Sequence, residues 1–451
     1  MQHTSFPAPA TTDTGTIALS QQVLHFFEQV LLPSSQKAKN GHLQLSHLLL
    51  TCLLMLLRQT FSPPAIQHAL MTETVGPFAA LASISRQAVR QRLMAIGITP
   101  FTQLLQRVQQ ALPQREVVNT TLAPFAPMVV ALDETKLSDI ARLAERSALL
   151  PKEHLMVGKL SALFDLRLQR WVHLQFLSDP LAHGAVASLL LIEHLPKASL
   201  IVADLGYFGY AWFRFLSDQG YFWISRLKDK SCYQIMHTFY QKGETLDALI
   251  WLGIYRSNQY PHMVRLVQYR QGTQLYRYIS NVTDPLQLPF ADIVSLYARR
   301  WDIEMAFKVL KRTLGLHLWW ACERVLVLQQ LLLTLMIAQV IHAIQGEIAA
   351  EADVDPQEVS LVVLRSLFPH ANWPTPFGMV AALVIKARVL GLIRPSRYLK
   401  LDIPLILESE IQPVSPDLVR ERAWKRTVRK DPRHPRCTDP SDFLFFPLAL
   451  L

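Results

Sequence analysis

Between Pro127 and Leu227 the hydrophobic pattern changes period several times, and that order narrows the fold more than any other feature. Met128 to Leu132 is a short apolar run that ends on Asp133. Lys159 to Leu168 and Trp171 to Leu177 read as two strands joined by a tight turn near Gln169-Arg170. A helix is predicted from about His183 to His194, then an apolar strand from Ser199 to Ala203 that ends on Asp204. Tyr210 to Gln219 is helical in pattern, and Tyr221 to Leu227 is a strand again. Hairpin strands followed by alternating strands and helices imply an α/β fold, a mixed sheet with helices packed on it. Residues 229–283 then alternate polar with β-branched or aromatic residues, as in Met263-Val264-Arg265-Leu266-Val267, and read as an inserted β-rich subdomain.

The regions on either side are helical. From about Ser20 to Leu112 apolar residues recur at helical spacing, with a break at Pro63-Pro64. Within it, Ser85 to Ile96 reads as a short amphipathic helix capped by Ser85, with Val89, Leu93 and Ile96 inward and Arg86, Arg90 and Arg92 largely outward. With a preceding helix and a turn near Gly76-Pro77 it would complete a helix-turn-helix. Two readings stand: a DNA-contacting helix, or a surface helix with solvated Arg and Gln. A long helix is expected from Phe290 to about Leu314, and helices should continue to roughly Phe368.

With 451 residues, half of them hydrophobic, the chain is long enough for two to four domains. Lys and Arg number 45 against 35 acidic residues, an excess that suits a polyanionic partner without identifying it. Cys52, Cys232, Cys322 and Cys437 form no metal-spaced pair and read as reduced thiols of a cytoplasmic protein. Residues 1–16, rich in Thr, Ala and Pro, read as a disordered tail without the order of a signal peptide. Val325 to Ile344 is long enough to span a bilayer. It carries Gln329, Gln330, Thr334, Gln339 and His342, and the cost of amides in lipid favours a buried core helix over a membrane span.

The chemistry-bearing residues are acids. Asp133 and Asp204 both follow apolar strands, so a common sheet edge can bring them together although 71 positions separate them; either alone could be an ordinary turn residue. The third acid lies in the helix Leu296 to Lys311. Tyr297, Arg300, Glu304, Lys308 and Lys311 follow at intervals of 3, 4, 4 and 3, which places all five on one face. A solvated stripe with an i,i+4 Glu–Lys pair has the same spacing. The bulky flanks Trp301, Ile303, Phe307 and Leu310 argue instead for a largely buried helix whose charges need partners.

The pattern Tyr297-x2-Arg300-x3-Glu304-x6-Lys311 resembles the signature of the insertion sequence four family of DDE transposases. Asp133-Glu134-Thr135 is similar to that family's first-Asp motif. Asp204-Leu205-Gly206-Tyr207-Phe208, with Gly220 to Arg226 downstream, is similar to the second. The resemblance covers about residues 120–345. It implies a ribonuclease-H-like catalytic core with a β-strand insertion, plus helical N-terminal and C-terminal regions. The implied division is a tail at 1–16, a helical DNA-binding domain at 17–120 and core at 121–228. An insertion at 229–285, the catalytic helix with the end of the core at 286–345, and a C-terminal helical region with a basic tail at 346–451 complete it.

By the same resemblance Asp133, Asp204 and Glu304 are the catalytic residues and would hold two Mg²⁺ ions, with Mn²⁺ as a substitute. Oxygen ligands suit such hard cations, and a pair of them can activate the nucleophile and stabilise the leaving oxygen. Tyr297, Arg300, Lys308 and Lys311 would contact phosphates of a double-stranded DNA end bearing terminal inverted repeats, with the protein a homodimer on DNA. Arg86 and Arg90 are further DNA-contact candidates. Trp251 is a candidate for stacking on a flipped base, against the reading of a core Trp. The segment from Arg420 to Arg436 has eight basic against two acidic residues and would grip DNA or be solvated surface. Two positions depart from the family pattern: Leu205, where Arg is usual, and Glu134, where a small residue is usual. The competing functions are a metal-dependent nuclease without strand transfer and a non-catalytic, transposase-derived DNA-binding protein.

Overall fold

The computed structural model describes residues 44–112, 122–137, 158–177, 184–253, 260–316, 323–367, 379–395 and 401–418, apart from positions 59 and 61, with short pieces that include 443–447. The tail at 1–16, His183 and the basic segment 420–436 lie outside the described residues.

Ten strands form one sheet among the described residues. They are β1 (Val129–Lys136), β2 (Lys159–Asp165), β3 (Arg170–Leu177), β4 (Leu200–Ala203), β5 (Phe222–Arg226), β6 (Tyr233–Lys242), β7 (Thr245–Leu252), β8 (Val264–Gln271), β9 (Gln274–Ser280) and β10 (Phe443–Pro447). Their spatial order is β10-β3-β2-β1-β4-β5-β9-β8-β7-β6. β1, β2 and β3 are antiparallel, with Gln169 in the tight turn at φ 50°. β4 is parallel to β1 and β5 is parallel to β4. Four-residue β4 is buried throughout, as an apolar strand covered on both faces must be.

The expected β-rich insertion does not stand apart from the sheet. Tyr278 to Ser280 of β9 pair antiparallel with Ile224 to Arg226 of β5, so β6–β9 continue the sheet outward. An uncovered β5 would leave a row of unpaired backbone groups, and β9 satisfies them. Within the extension Arg265 and Asp247 form a buried two-bonded ion pair, at 2.7 and 2.6 Å.

Strand alternation divides the core in two. Val130 and Leu132 face α5 (Gly184–Ile192) and α6 (Tyr210–Asp218), in a cluster that also holds Tyr207, Phe213 and Trp223. Val129 and Ala131 face the other way. They share a cluster with the helices α1 (Leu45–Leu57), α2 (Pro63–Thr72), α3 (Arg86–Ile96) and α4 (Thr99–Ala111), and with α7 (Phe290–Arg299), α8 (Trp301–Lys308) and α9 (Arg324–Glu351). The N-terminal helices therefore pack into the same core as the sheet. Ser85 caps α3 by accepting from the Ala88 N–H. The link from α2 to α3 runs from 73 to 85, longer than the three- or four-residue turn of a compact helix-turn-helix.

The long apolar stretch is α9, and its most apolar window is 94% buried inside the protein. Its polar residues explain why that environment is protein. Gln329 donates to the carbonyls of Leu93 and Gly97 at 2.8 and 2.7 Å, closing the end of α3. Gln339 donates to Trp171 O, and Gln345 to the carbonyls of Pro356 and Val359. Each such carbonyl left unpaired in a core would cost about 1–3 kcal/mol.

The helix expected from Phe290 to Leu314 is interrupted. α7 ends at Arg299, and the Arg300 N–H bonds back to Tyr297 O at 3.2 Å before α8 begins. Val309–Thr313 then widens to π geometry, with Leu314 N bonded to Val309 O. A widened turn rotates the residues beyond it about the helix axis, so the ideal-helix stripe does not carry through unchanged to Lys311.

Candidate active site

The parallel register of β1 and β4 ends with Leu132 opposite Ala203, which sets Asp133 and Asp204 as the next residues on adjacent strands. Beyond this point the two strands part. β1 runs on to Lys136 against β2 alone, so Asp133 lies within a strand, opposite Ala162. β4 stops, and Asp204 caps a short 3₁₀ turn, accepting from Gly206 N at 3.3 Å. Glu304 comes from α8, which packs against β1 and β2.

The three acids meet on Arg300. Its Nη1 lies 2.7 Å from Glu304 Oε1 and 3.7 Å from Asp133 Oδ2, and its Nε lies 3.8 Å from Asp204 Oδ1. The guanidinium is 7% exposed, against 44% for the Asp204 side chain. Burial works against its charge, and Asp204, Tyr297 and Glu304 more than offset that, so its pKa is raised. Asp133 is pushed up to about 6, chiefly by burial; the Glu134 N–H and Arg300 oppose the rise, and Glu304 and Asp204 add to it. Arg300 thus points at the acids and serves as their shared counter-ion.

Among the described residues no group of three His, Cys, Asp or Glu side chains is arranged to hold a metal ion as it stands. The chemistry of the donors nonetheless fits a hard divalent cation. Three carboxylates converge on one positive centre, and all offer oxygen. Cation binding requires Arg300 to yield its place among them.

A cleft of about 490 Å³ opens beside the acids, lined by Asp133, Glu134, Glu304, Phe307, Lys308 and Lys311 among others. Lys308 is exposed. Lys311 is partly buried, and burial lowers its pKa. Tyr297 is buried and stacks on Tyr278, with ring centroids 4.4 Å apart. Of the stripe, then, Arg300 and Glu304 belong to the acid cluster, Lys308 and Lys311 to the cleft, and Tyr297 is buried between Tyr278 and Arg300.

Three further candidates lie away from this site. Trp251 is 5% exposed and packs with Phe239, Leu249 and Met263, the environment of a core Trp. Arg86 is exposed on α3, and Arg90 on the same helix pairs with Glu323 at the start of α9.

Three features escaped the sequence. Trp301, taken there for a buried flank, is 51% exposed, with the Arg300 guanidinium 5.4 Å from its ring centroid. Helical spacing places it on the same face as Glu304 and Lys308. Glu134 pairs with buried Lys159 at 2.8 Å. Tyr207 is buried behind the two Asp-bearing segments. The departure from the family pattern at Glu134 was the one signal in the chain, and its partner 25 residues away had none.

Comparison with known proteins bears on this arrangement. Residues 154–341 match a family described as a transposase DDE domain, a span that holds Asp204 and Glu304 and begins after Asp133. No curated protein matches. Among solved structures the chain is similar to a piggyBac transposase in a synaptic complex with hairpin DNA, at 8% identity and a TM-score of 0.39, over 87% of this chain and 85% of that one.

Proposed function

We propose that this chain is a DDE transposase of the insertion sequence four type, which cleaves DNA at the ends of a mobile element and joins those ends to a target. The observation that carries the reading is the convergence of Asp133, Asp204 and Glu304 on Arg300, in a chain whose residues 154–341 match a transposase DDE domain. The strand order β3-β2-β1-β4-β5, three antiparallel strands and then two parallel ones, supports a ribonuclease-H-like core. On this reading the N-terminal helices with Arg86 and Arg90 belong to the DNA-binding part, and two copies of the chain act on paired DNA ends.

Asp133, Asp204 and Glu304 would hold two Mg²⁺ ions, with Mn²⁺ as a substitute. Bound there, the ions supply activation of the attacking oxygen and neutralisation of charge on the phosphate. The protein's own residues do the rest. Lys308 and Lys311 stand in the cleft as point charges for phosphates flanking the scissile one. Arg300, released from the acids, has a planar fork that matches a phosphate. In cleavage, water oxygen bonds to phosphorus, the P–O3′ bond breaks, and the 3′ oxygen leaves as a hydroxyl. In strand transfer that 3′-hydroxyl oxygen bonds to a target phosphorus, the target's own P–O3′ bond breaks, and its 3′ oxygen leaves as a hydroxyl. No external energy source is needed, because one phosphodiester replaces another.

The test is an in vitro reaction with DNA carrying the inverted repeats that flank the coding region, a target plasmid and Mg²⁺. The wild-type protein should yield joined products, and Asp133→Asn, Asp204→Asn and Glu304→Gln should yield neither cut nor joined DNA. Cutting without joining would establish the nuclease reading instead. Near-normal cleavage by Glu304→Gln would remove Glu304 from the site.

A further inference from the structure

Beside Asp133, on side chains that alternate to the other face of β1, lies a polar cluster that the proposed chemistry does not use, running from Glu134 at the edge of the cleft to buried Lys159. Alternation along β1 places Glu134 on the face of Val130 and Leu132, and Lys159 and Ser161 of β2 share that face with Leu163. Lys159 is 1% exposed, and its Nζ donates to Glu134 Oε2 at 2.8 Å. The glutamate carboxylate presses on the first residue of α5: a Cβ built on Gly184 would stand 2.3 Å from Glu134 Oε2. Tyr207, three residues past Asp204, is 4% exposed in the same region. The Ser161 hydroxyl lies close enough to the Tyr207 hydroxyl to act as its hydrogen-bond partner, although the pair falls outside ideal hydrogen-bonding geometry.

Stability alone does not account for this group. An ion pair with one partner buried and the other partly exposed to a cleft contributes modestly to stability at best. A buried pair of hydroxyls whose mutual hydrogen bond is poorly formed adds little stability and calls for another reason. Its position supplies one. Beyond Leu132 strand β1 has lost its parallel neighbour and is held by β2 alone, on the stretch that carries Asp133. Asp204 sits on a three-residue turn outside any strand. Both carboxylates therefore stand on backbone that the sheet holds on one side or not at all.

We infer that Lys159, Glu134 and Tyr207 are positioning residues that form a brace beside the active site. The Lys159–Glu134 pair anchors the free end of β1, and Tyr207 wedges the Asp204 turn against it, so together they fix the separation of the Asp133 and Asp204 carboxylates. The inference rests on the reading of those two acids as cation ligands. Residues that orient metal ligands from behind typically change affinity or activity by about 10–100-fold when replaced.

The experiment is a Mn²⁺ titration of the full chain without DNA, followed by the EPR signal of the free ion, with melting curves on the same samples. Lys159→Met should weaken Mn²⁺ binding roughly tenfold, and Lys159→Arg should recover most of it. Tyr207→Phe should weaken binding while its melting temperature stays nearly the same, since only a poorly formed hydrogen bond is lost. Should Lys159→Met fail to fold, Tyr207→Phe and Lys159→Arg carry the test. Wild-type affinity in folded Lys159→Met and Tyr207→Phe, with loss of affinity in Asp133→Asn, overturns the brace and leaves the acid site standing. A wild-type protein that takes up no Mn²⁺, or an Asp133→Asn variant that binds it normally, overturns the acid site and the brace with it.

Discussion

Replacing Arg300 by Ala removes the one cation shared by three carboxylates, and the size of the effect should depend on pH in a defined way. The guanidinium lies 2.7, 3.7 and 3.8 Å from the three acids and is almost fully buried. Breaking a buried pair on one side typically costs about 3–5 kcal/mol, because the remaining charge is left without compensation. Here the remaining charge has a way out. Asp133 is already held near pH 6, mainly by burial, and without Arg300 it rises further, at about 1.4 kcal/mol for each unit. A carboxyl whose folded pKa is raised stabilises the fold below its unfolded pKa, and that contribution is lost as pH rises through the folded value. The Arg300→Ala variant should therefore lose about 3 kcal/mol at pH 7.5 and roughly 1 kcal/mol at pH 5, where Asp133 is protonated in both proteins. Denaturant titrations at the two pH values measure this directly. An equal loss at both pH values, or none at pH 7.5, would refute the shared counter-ion. DNA affinity on the same variant separates a second role: if stability falls while affinity is unchanged at every salt concentration, Arg300 makes no phosphate contact.

Other perturbations have equally definite outcomes. Lys311→Ala should lower the slope of log affinity against log salt by about one for DNA while barely moving the melting temperature, and an unchanged slope excludes a phosphate contact. Trp301→Ala should change stability by no more than about 0.5 kcal/mol, as expected of an exposed side chain, and should weaken DNA binding by about 1–3 kcal/mol if the ring stacks on a base. Unaltered binding by electrophoretic mobility shift would leave the ring without that role. His342 is buried, and burial lowers its pKa to about 4, so its neutral form stabilises the fold above about pH 6.5 and that contribution disappears as pH falls toward 4. His342→Gln should accordingly lose less stability than the wild type between pH 6.5 and 4, and parallel pH curves for the two would contradict the burial argument.

Much of the architecture is legible one segment at a time. The strands around Val130, Leu163, Leu174, Val202 and Trp223 emerge within a few residues of where their apolar periods place them, and Ser85 caps α3 as its position before the apolar stripe suggests. These features depend on near neighbours, and the period of burial along a short segment is written in the segment itself. The polar residues of α9 likewise foretell a protein core over a lipid one, and Gln329 and Gln339 find backbone carbonyls there. The acids could be singled out because each follows an apolar strand or rides a helix with bulky flanks.

What the chain alone determined is thus the kind of each element and the identity of the groups that bear chemistry, because both follow from local order. Tertiary structure decided how those groups are used. The pairing of β9 with β5, which makes the insertion a continuation of the sheet, depends on an edge formed far away in the chain. Packing of α8 against β1 and β2 sets the Arg300 guanidinium among three carboxylates and leaves Trp301, expected in the core, facing out. Lys159 meets Glu134 only because β2 folds back on β1. Orientation about a helix axis and partnership across a sheet are set by contacts between distant residues, and a linear pattern of apolar positions does not encode them.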